Sequence, residues 1–253
     1  MSLFRSGGYF GTRATPATNS APGVWRLEEA ESARRGNLWP GIDPFFSNVS
    51  LLLPFDGVNG GTTFTDSSTN NLTPTLVNSP TTSTTRAKFG QSGYFAGTAY
   101  LSYAPSSTLF GFGTGNFTVE YWVFVVAYNS RALGFRTSGV STQFDFFVSA
   151  TGQIGMWNGS TTTNFSVTGA VSTGTWHHVA WSRQSGSVRA YLNGVQQGST
   201  ATITTSLAGT NSVQFPANSN YQSAECYLDE LRITKGIARY TSSSFAVQTE
   251  AHR

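Results

Sequence analysis

The chain has 253 residues, and only 11% of them are Asp, Glu, Lys or Arg, against ~25% in an average soluble domain. That length buries one large core, while a formal charge of +3 and no basic run longer than Arg34-Arg35 argue against a nucleic-acid partner. A single cysteine, Cys226, excludes an internal disulfide or a cysteine-built zinc site, and no segment reaches the ~18 apolar residues of a membrane-spanning helix.

Residues 1–23 are rich in Gly, Thr, Pro and Ser, with scattered aromatics (Phe4, Tyr9, Phe10) and no periodic pattern. Such a segment reads as an extended arm that gains order by docking on a neighbour. Its first ten residues lack the apolar core of a signal peptide, so use without export is expected. Residues 27–36 place Glu28, Glu29 and Glu31 first, Arg34 and Arg35 last, and Gly36 after them, which predicts one short helix. Leu38, Trp39, Ile42, Phe45 and Phe46 then supply an apolar stretch suited to docking. The expected organisation is an anchoring arm over 1–45, a folded domain over 46–249 and a short tail over 250–253.

Past the arm the chain reads as strands and turns. An apolar strand opens at 49–53, and 105–110 forms a helical turn. Residues 116–123 alternate, with Phe117, Val119, Tyr121 and Val123 on one face. Trp122 falls on the other face, where it either lines a groove or packs beneath a loop. Further strands are predicted at 132–137, 143–149, 153–157 and 162–167. Residues 175–198 form a three-stranded antiparallel unit, with Val179 and Trp181 facing one way and Trp176, His178 and Ala180 the other. Asn193-Gly194 is a pair suited to a type I′ turn. Strands at 212–215 and 224–233 close an all-β sandwich, and Cys226 reads as a small buried residue in the last of them.

Several of these motifs carry a resemblance. Trp176-His177-His178-Val179-Ala180, a hairpin, and Tyr191-Leu192-Asn193-Gly194 resemble the signature of laminin-G-like domains with the concanavalin A-like jelly roll. Phe55-Asp56-Gly57 followed by Asp66-Ser67-Ser68 is similar to the opening of such domains. Asp229-Glu230-Leu231-Arg232-Ile233 and Gly236-Ile237-Ala238-Arg239-Tyr240 resemble their closing strand, notably in proteins of bacteria and tailed bacteriophages. The resemblance covers about 50–247. It implies a sandwich of two antiparallel sheets whose first and last strands pair.

Catalytic patterns are missing. The resemblance admits glycosidases, which need closely spaced carboxylates in a cleft, but Glu-x-Asp-x-x-Glu is absent. Glu225, Asp229 and Glu230 fall in the closing strand. His177 and His178 are adjacent in a strand and point apart, and His178 reads as a hydrogen-bonded structural residue. No Gly-x-Ser-x-Gly, HExxH or phosphate loop occurs, so no enzyme is expected. The resemblance also implies a Ca²⁺ site, for which Asp56, Asp66 and Asp229 are the candidates, each with a turn-capping reading beside it. Trp157, Asn158, Tyr128 and Tyr221 adjoin predicted loops and are candidates for stacking on and bonding to a glycan.

Two functions follow as expectations. One is a virion structural protein of a tailed phage, assembled in the host cytoplasm as a tail, appendage or head-decoration subunit. Its partners would be other virion proteins, further copies of the chain and host surface glycans. The other is a calcium-dependent carbohydrate-binding lectin module of a bacterial surface or secreted protein.

Overall fold

The computed structural model describes residues 43–128, 133–137, 144–208, 211–216 and 224–252. The arm over 1–42, its short helix and Tyr221 lie outside the described residues. Contacts divide the chain into two compact units, and the sandwich is the unit Ser47–Ala251.

The strands, in chain order, are β1 (Val49–Leu53), β2 (Thr75–Val77), β3 (Thr81–Ser83), β4 (Ser92–Phe95), β5 (Tyr100–Tyr103) and β6 (Phe117–Ala127). Then come β7 (Leu133–Thr137), β8 (Asp145–Val148), β9 (Ile154–Trp157) and β10 (Thr162–Asn164). The remainder are β11 (Trp176–Gln184), β12 (Ser187–Leu192), β13 (Val195–Thr202), β14 (Val213–Phe215) and β15 (Glu225–Lys235). A single helical turn, α1 (Ser107–Phe110), begins where the Ser106 hydroxyl accepts from the Leu109 amide.

Two antiparallel sheets result. One has eight strands in the order β13-β12-β11-β6-β15-β4-β3, with β1 also paired to β15. The other has seven, in the order β10-β9-β8-β7-β14-β5-β2. First and last strands pair as expected, Leu51 opposite Ile233 and Leu53 opposite Leu231. The two tight turns of the β11–β13 unit, Ser185-Gly186 and Asn193-Gly194, have positive φ at both residues, as type I′ turns require.

The core lies between the sheets. Val119, Tyr121 and Val123 of β6 and Val179 and Trp181 of β11 face Phe135, Phe144, Phe146, Ile154, Met156 and Phe215. Cys226 is fully buried there.

Strand β15 carries a bulge that its sequence foreshadows. Leu228, Leu231 and Ile233 all reach the core, and a spacing of three followed by two cannot be met by a straight strand. The extra residue is Glu230, at φ 52°, and register slips between Asp229 and Arg232. Arg232 thereby faces Glu120 on β6.

Candidate functional site

The three aspartates do not gather. Asp66 is buried, and its Oδ1 accepts from the amides of Leu52 and Ser68 at 3.0 and 2.9 Å. Its Oδ2 accepts from the Leu72 amide and the Ser68 hydroxyl. All four acceptor positions are therefore spent on the protein. A cleft of about 260 Å³ beside it is lined by Thr62, Phe64, Asn71, Leu72 and Leu76, but that carboxylate is not free to serve it.

Asp229 sits elsewhere, in the gap where β1 and β4 share one edge of β15. Its Oδ2 accepts from the amides of Lys88 and Phe89, both at 2.9 Å, while its buried Oδ1 has no partner. Burial raises its carboxyl to about 8; the Phe89 and Lys88 amides oppose this, while Glu230 and Asp56 add to it. Asp56 is exposed and accepts from the Gln91 amide. Among the described residues no three acidic, histidine or cysteine side chains converge on one point. Asp56, Asp66 and Asp229 do not fit one calcium ion, because Asp66 is spent in a separate turn and Asp229 faces a loop it already holds.

The glycan candidates are scattered too. Trp157 ends β9, next to the β9–β10 turn, where the Asn158 side-chain oxygen accepts from the amides of Ser160 and Thr161. Tyr128 follows β6 of the other, eight-stranded sheet. Its hydroxyl donates to the Val171 carbonyl at 2.8 Å, and Val171 in turn bonds Gly152 in the β8–β9 turn. Trp157 does share a full rung of the seven-stranded sheet with Thr162, Asp145, Arg136, Gln214, Ser102 and Thr75. Trp157 Nε1, Asp145 Oδ1 and Gln214 Oε1 have no hydrogen-bond partner, yet each is shut off from solvent. The polar atoms at the middle of that rung are closed off, while Trp157 is half-buried and the end residues Thr162 and Thr75 are exposed.

The outer face of the eight-stranded sheet is different. Much of it is covered by residues 237–247. Glu120 Oε1 accepts from both Nε and Nη2 of Arg232 (2.9 and 2.7 Å), while its Oε2 contacts His178 Nε2 at 3.2 Å and accepts from the Tyr240 hydroxyl at 2.6 Å. The Tyr240 ring stacks on Phe245 at 3.5 Å, and Phe245 packs edge-on against Tyr191 and His178. Trp122 is covered as well. Phe89 meets it edge-on and Lys88 Nζ lies 4.1 Å above its ring, so it packs beneath a loop.

One rung of this face stays open. Register places Tyr94 of β4 opposite Tyr227 of β15, Tyr227 opposite Phe124 of β6, and Phe124 opposite Trp176 of β11. Ring centroids follow at 4.9, 6.2 and 5.8 Å. All four rings are half-buried, and three steps between strands make a ladder about 14 Å long. Val126, exposed and bulged out of β6, extends it. The Tyr94 hydroxyl donates to Glu225 at 2.9 Å, and burial together with that carboxylate raises it to about 12. A continuous aromatic strip with polar groups at its border is suited to stacking against the C–H faces of sugar rings while bonding their hydroxyls.

The comparisons bear on fold. Laminin_G_3, described as the concanavalin A-like lectin/glucanases superfamily, matches residues 95–237, more than half of the chain. The chain belongs to this family. Among solved structures, the binding domain of Paraclostridial Mosquitocidal Protein 1 superposes on this laminin-G sandwich with a TM-score of 0.61. Identity is 12%, over 76% of this chain and 50% of that one. Domain 4 of AbnA, a GH43 extracellular arabinanase of Geobacillus stearothermophilus solved in complex with arabinotriose, gives 0.60 at 20% identity, over 76% and 94%. Botulinum neurotoxin type C, whose cell entry depends on two ganglioside molecules, gives 0.57 at 12% identity, over 76% and 49%. The chain spans about half the length of those toxin chains. No curated protein matches it by sequence. At these identities the likeness is one of fold.

The ladder was not among the candidates read from the sequence of this laminin-G chain. Each member is an aromatic at an outward position of an alternating strand, and Trp176 stood there openly against Val179 and Trp181. What joins the four into a strip is register between strands that are distant in sequence, and alternation alone does not carry it.

Proposed function

We propose that this chain is a non-enzymatic, lectin-like module that holds glycans on the ladder of Tyr94, Tyr227, Phe124 and Trp176. The observation that carries the reading is that strip: four half-buried rings in register on a face much of which is otherwise covered. Structures of similar fold include an arabinanase domain solved with arabinotriose and a toxin dependent on gangliosides, which supports a sandwich put to sugar recognition. The absence of a nucleophile–base pairing or carboxylate dyad in the sequence supports a role without catalysis.

The module belongs, in this reading, to a tailed-phage particle, as a tail, appendage or head-decoration subunit in contact with host glycans. Support comes from the closing segment 229–240, which resembles phage proteins, and from the low charge. Residues 1–45 would tether it to other virion proteins or to further copies of itself. Light scattering on the full chain tests self-association. An oligomer is expected, and a strict monomer removes the homo-oligomeric part.

The glycan reading is tested on an array of immobilised oligosaccharides, with the full chain and Tyr227→Ala side by side. Tyr227 is half-exposed, so the variant should fold, as circular dichroism would verify. Removing a central stacking ring should cost about fivefold or more in affinity, by analogy with the ~1–3 kcal/mol lost per stacked ring in other aromatic platforms. An array that stays blank, or a variant that binds as well as the parent, would sink the proposal.

A further inference from the structure

The ladder has a cationic border. The Arg86 guanidinium lies 5.2 Å above the Phe124 ring, and Lys88 Nζ lies 4.1 Å above Trp122. Phe124 and Trp122 are two residues apart on β6 and share its outer face, so the two cations run in line beside the open rung. Both come from the loop between β3 and β4, which is held in place from below. The Ser92 hydroxyl donates to the Arg86 carbonyl, and Asp229 Oδ2 accepts from the Lys88 and Phe89 amides. Arg86 is exposed, and among the described residues neither cation is paired with a carboxylate. Two carboxylates lie nearby on this face: Glu225 bonds the Tyr94 hydroxyl two strands away from Phe124, and the buried Asp229, opposite Trp122, is turned to the Lys88 and Phe89 amides.

Resting on the glycan reading above, we propose that the ligand is an acidic glycan. Its sugar faces lie on Tyr94, Tyr227 and Trp176, and its carboxylates, from uronic or sialic acid residues, are met by Arg86, which covers the Phe124 ring between them, and by Lys88 behind it. A guanidinium held against a ring face loses little further freedom on binding, and its planar fork matches a carboxylate with two parallel hydrogen bonds. A neutral glycan would leave both cations unused.

The test uses the full chain and matched pairs of probes that differ in charge. These are oligogalacturonate against its methyl ester, and sialyllactose against lactose, titrated calorimetrically. The acidic member of a pair should bind about fivefold more tightly at low salt, and the advantage should shrink as salt is raised. Arg86→Gln should bring the acidic member down to its neutral counterpart, while Arg86→Lys keeps part of the difference. Preference in the first pair alone identifies uronic acids, and in the second alone sialic acids. Equal binding of acidic and neutral members overturns this inference and leaves the glycan reading standing. Binding of neither member of either pair, with a blank array, removes both.

Discussion

Asp66 shows how much one carboxylate can organise. It fastens the Leu52 amide of the opening strand to the turn that follows, through four hydrogen bonds in a buried setting. Asp66→Ala would strand three backbone amides, Leu52, Ser68 and Leu72, and cost on the order of 3 kcal/mol. Urea melts of parent and variant would measure this, and an unchanged midpoint would contradict it. Asp229 and Asp145 behave differently, because burial raises their carboxyls from 3.8 to about 8 and about 7. The folded state therefore holds these protons more tightly than the unfolded chain does. Their contribution is fully present below the unfolded value and is lost as pH rises through the folded one. The melting temperature should fall between about pH 5 and 8, and Asp229→Asn should flatten the upper part of that slope. A stability that rises across this window would refute the assignment.

Element by element, β15 joins the fold to the candidate site. Its bulge at Glu230 keeps Leu228 and Leu231 in the core and turns Arg232 to Glu120. That carboxylate also holds Tyr240, and with it the covering segment. Glu120→Ala would remove the carboxylate that faces the buried Arg232 and is expected to cost about 3–5 kcal/mol. It should also free residues 237–247, seen as faster amide exchange there and at His178. Protection that persists in a folded variant would show that the segment is held by its ring contacts alone. Much of β15 was legible in the sequence: the strand and the burial of Cys226 in its own residues, and its pairing with β1 through the family resemblance; on β11, so was the hydrogen-bonded role of His178. So were the β11–β13 unit and its Asn193-Gly194 turn, because local alternation and turn chemistry act within a few residues. The site was not. Trp157, Asn158 and Tyr128 stand out in the sequence only by adjacency to loops, and the fold spends the Asn158 oxygen and the Tyr128 hydroxyl on its own turns. Tyr94, Tyr227, Phe124 and Trp176 come from strands far apart in the chain, and only the β4-β15-β6-β11 order makes neighbours of them.

Across the sandwich, the two sheets present contrasting outer faces. The seven-stranded sheet carries a polar rung around Trp157 whose unpaired atoms are shut off from solvent. The middle of the eight-stranded sheet is covered by residues 237–247 and by the loop bearing Lys88 and Phe89, and the aromatic rung lies outside that cover. The central claim is that glycans lie on that rung. The most direct measurement is to follow the indole N–H resonances of Trp176 and Trp157 by NMR, titrating the full chain with an oligosaccharide retained on the array. The account predicts that the Trp176 resonance shifts and saturates while that of Trp157 stays in place. Saturable movement of Trp157 with Trp176 unmoved would contradict it and transfer the site to the other sheet.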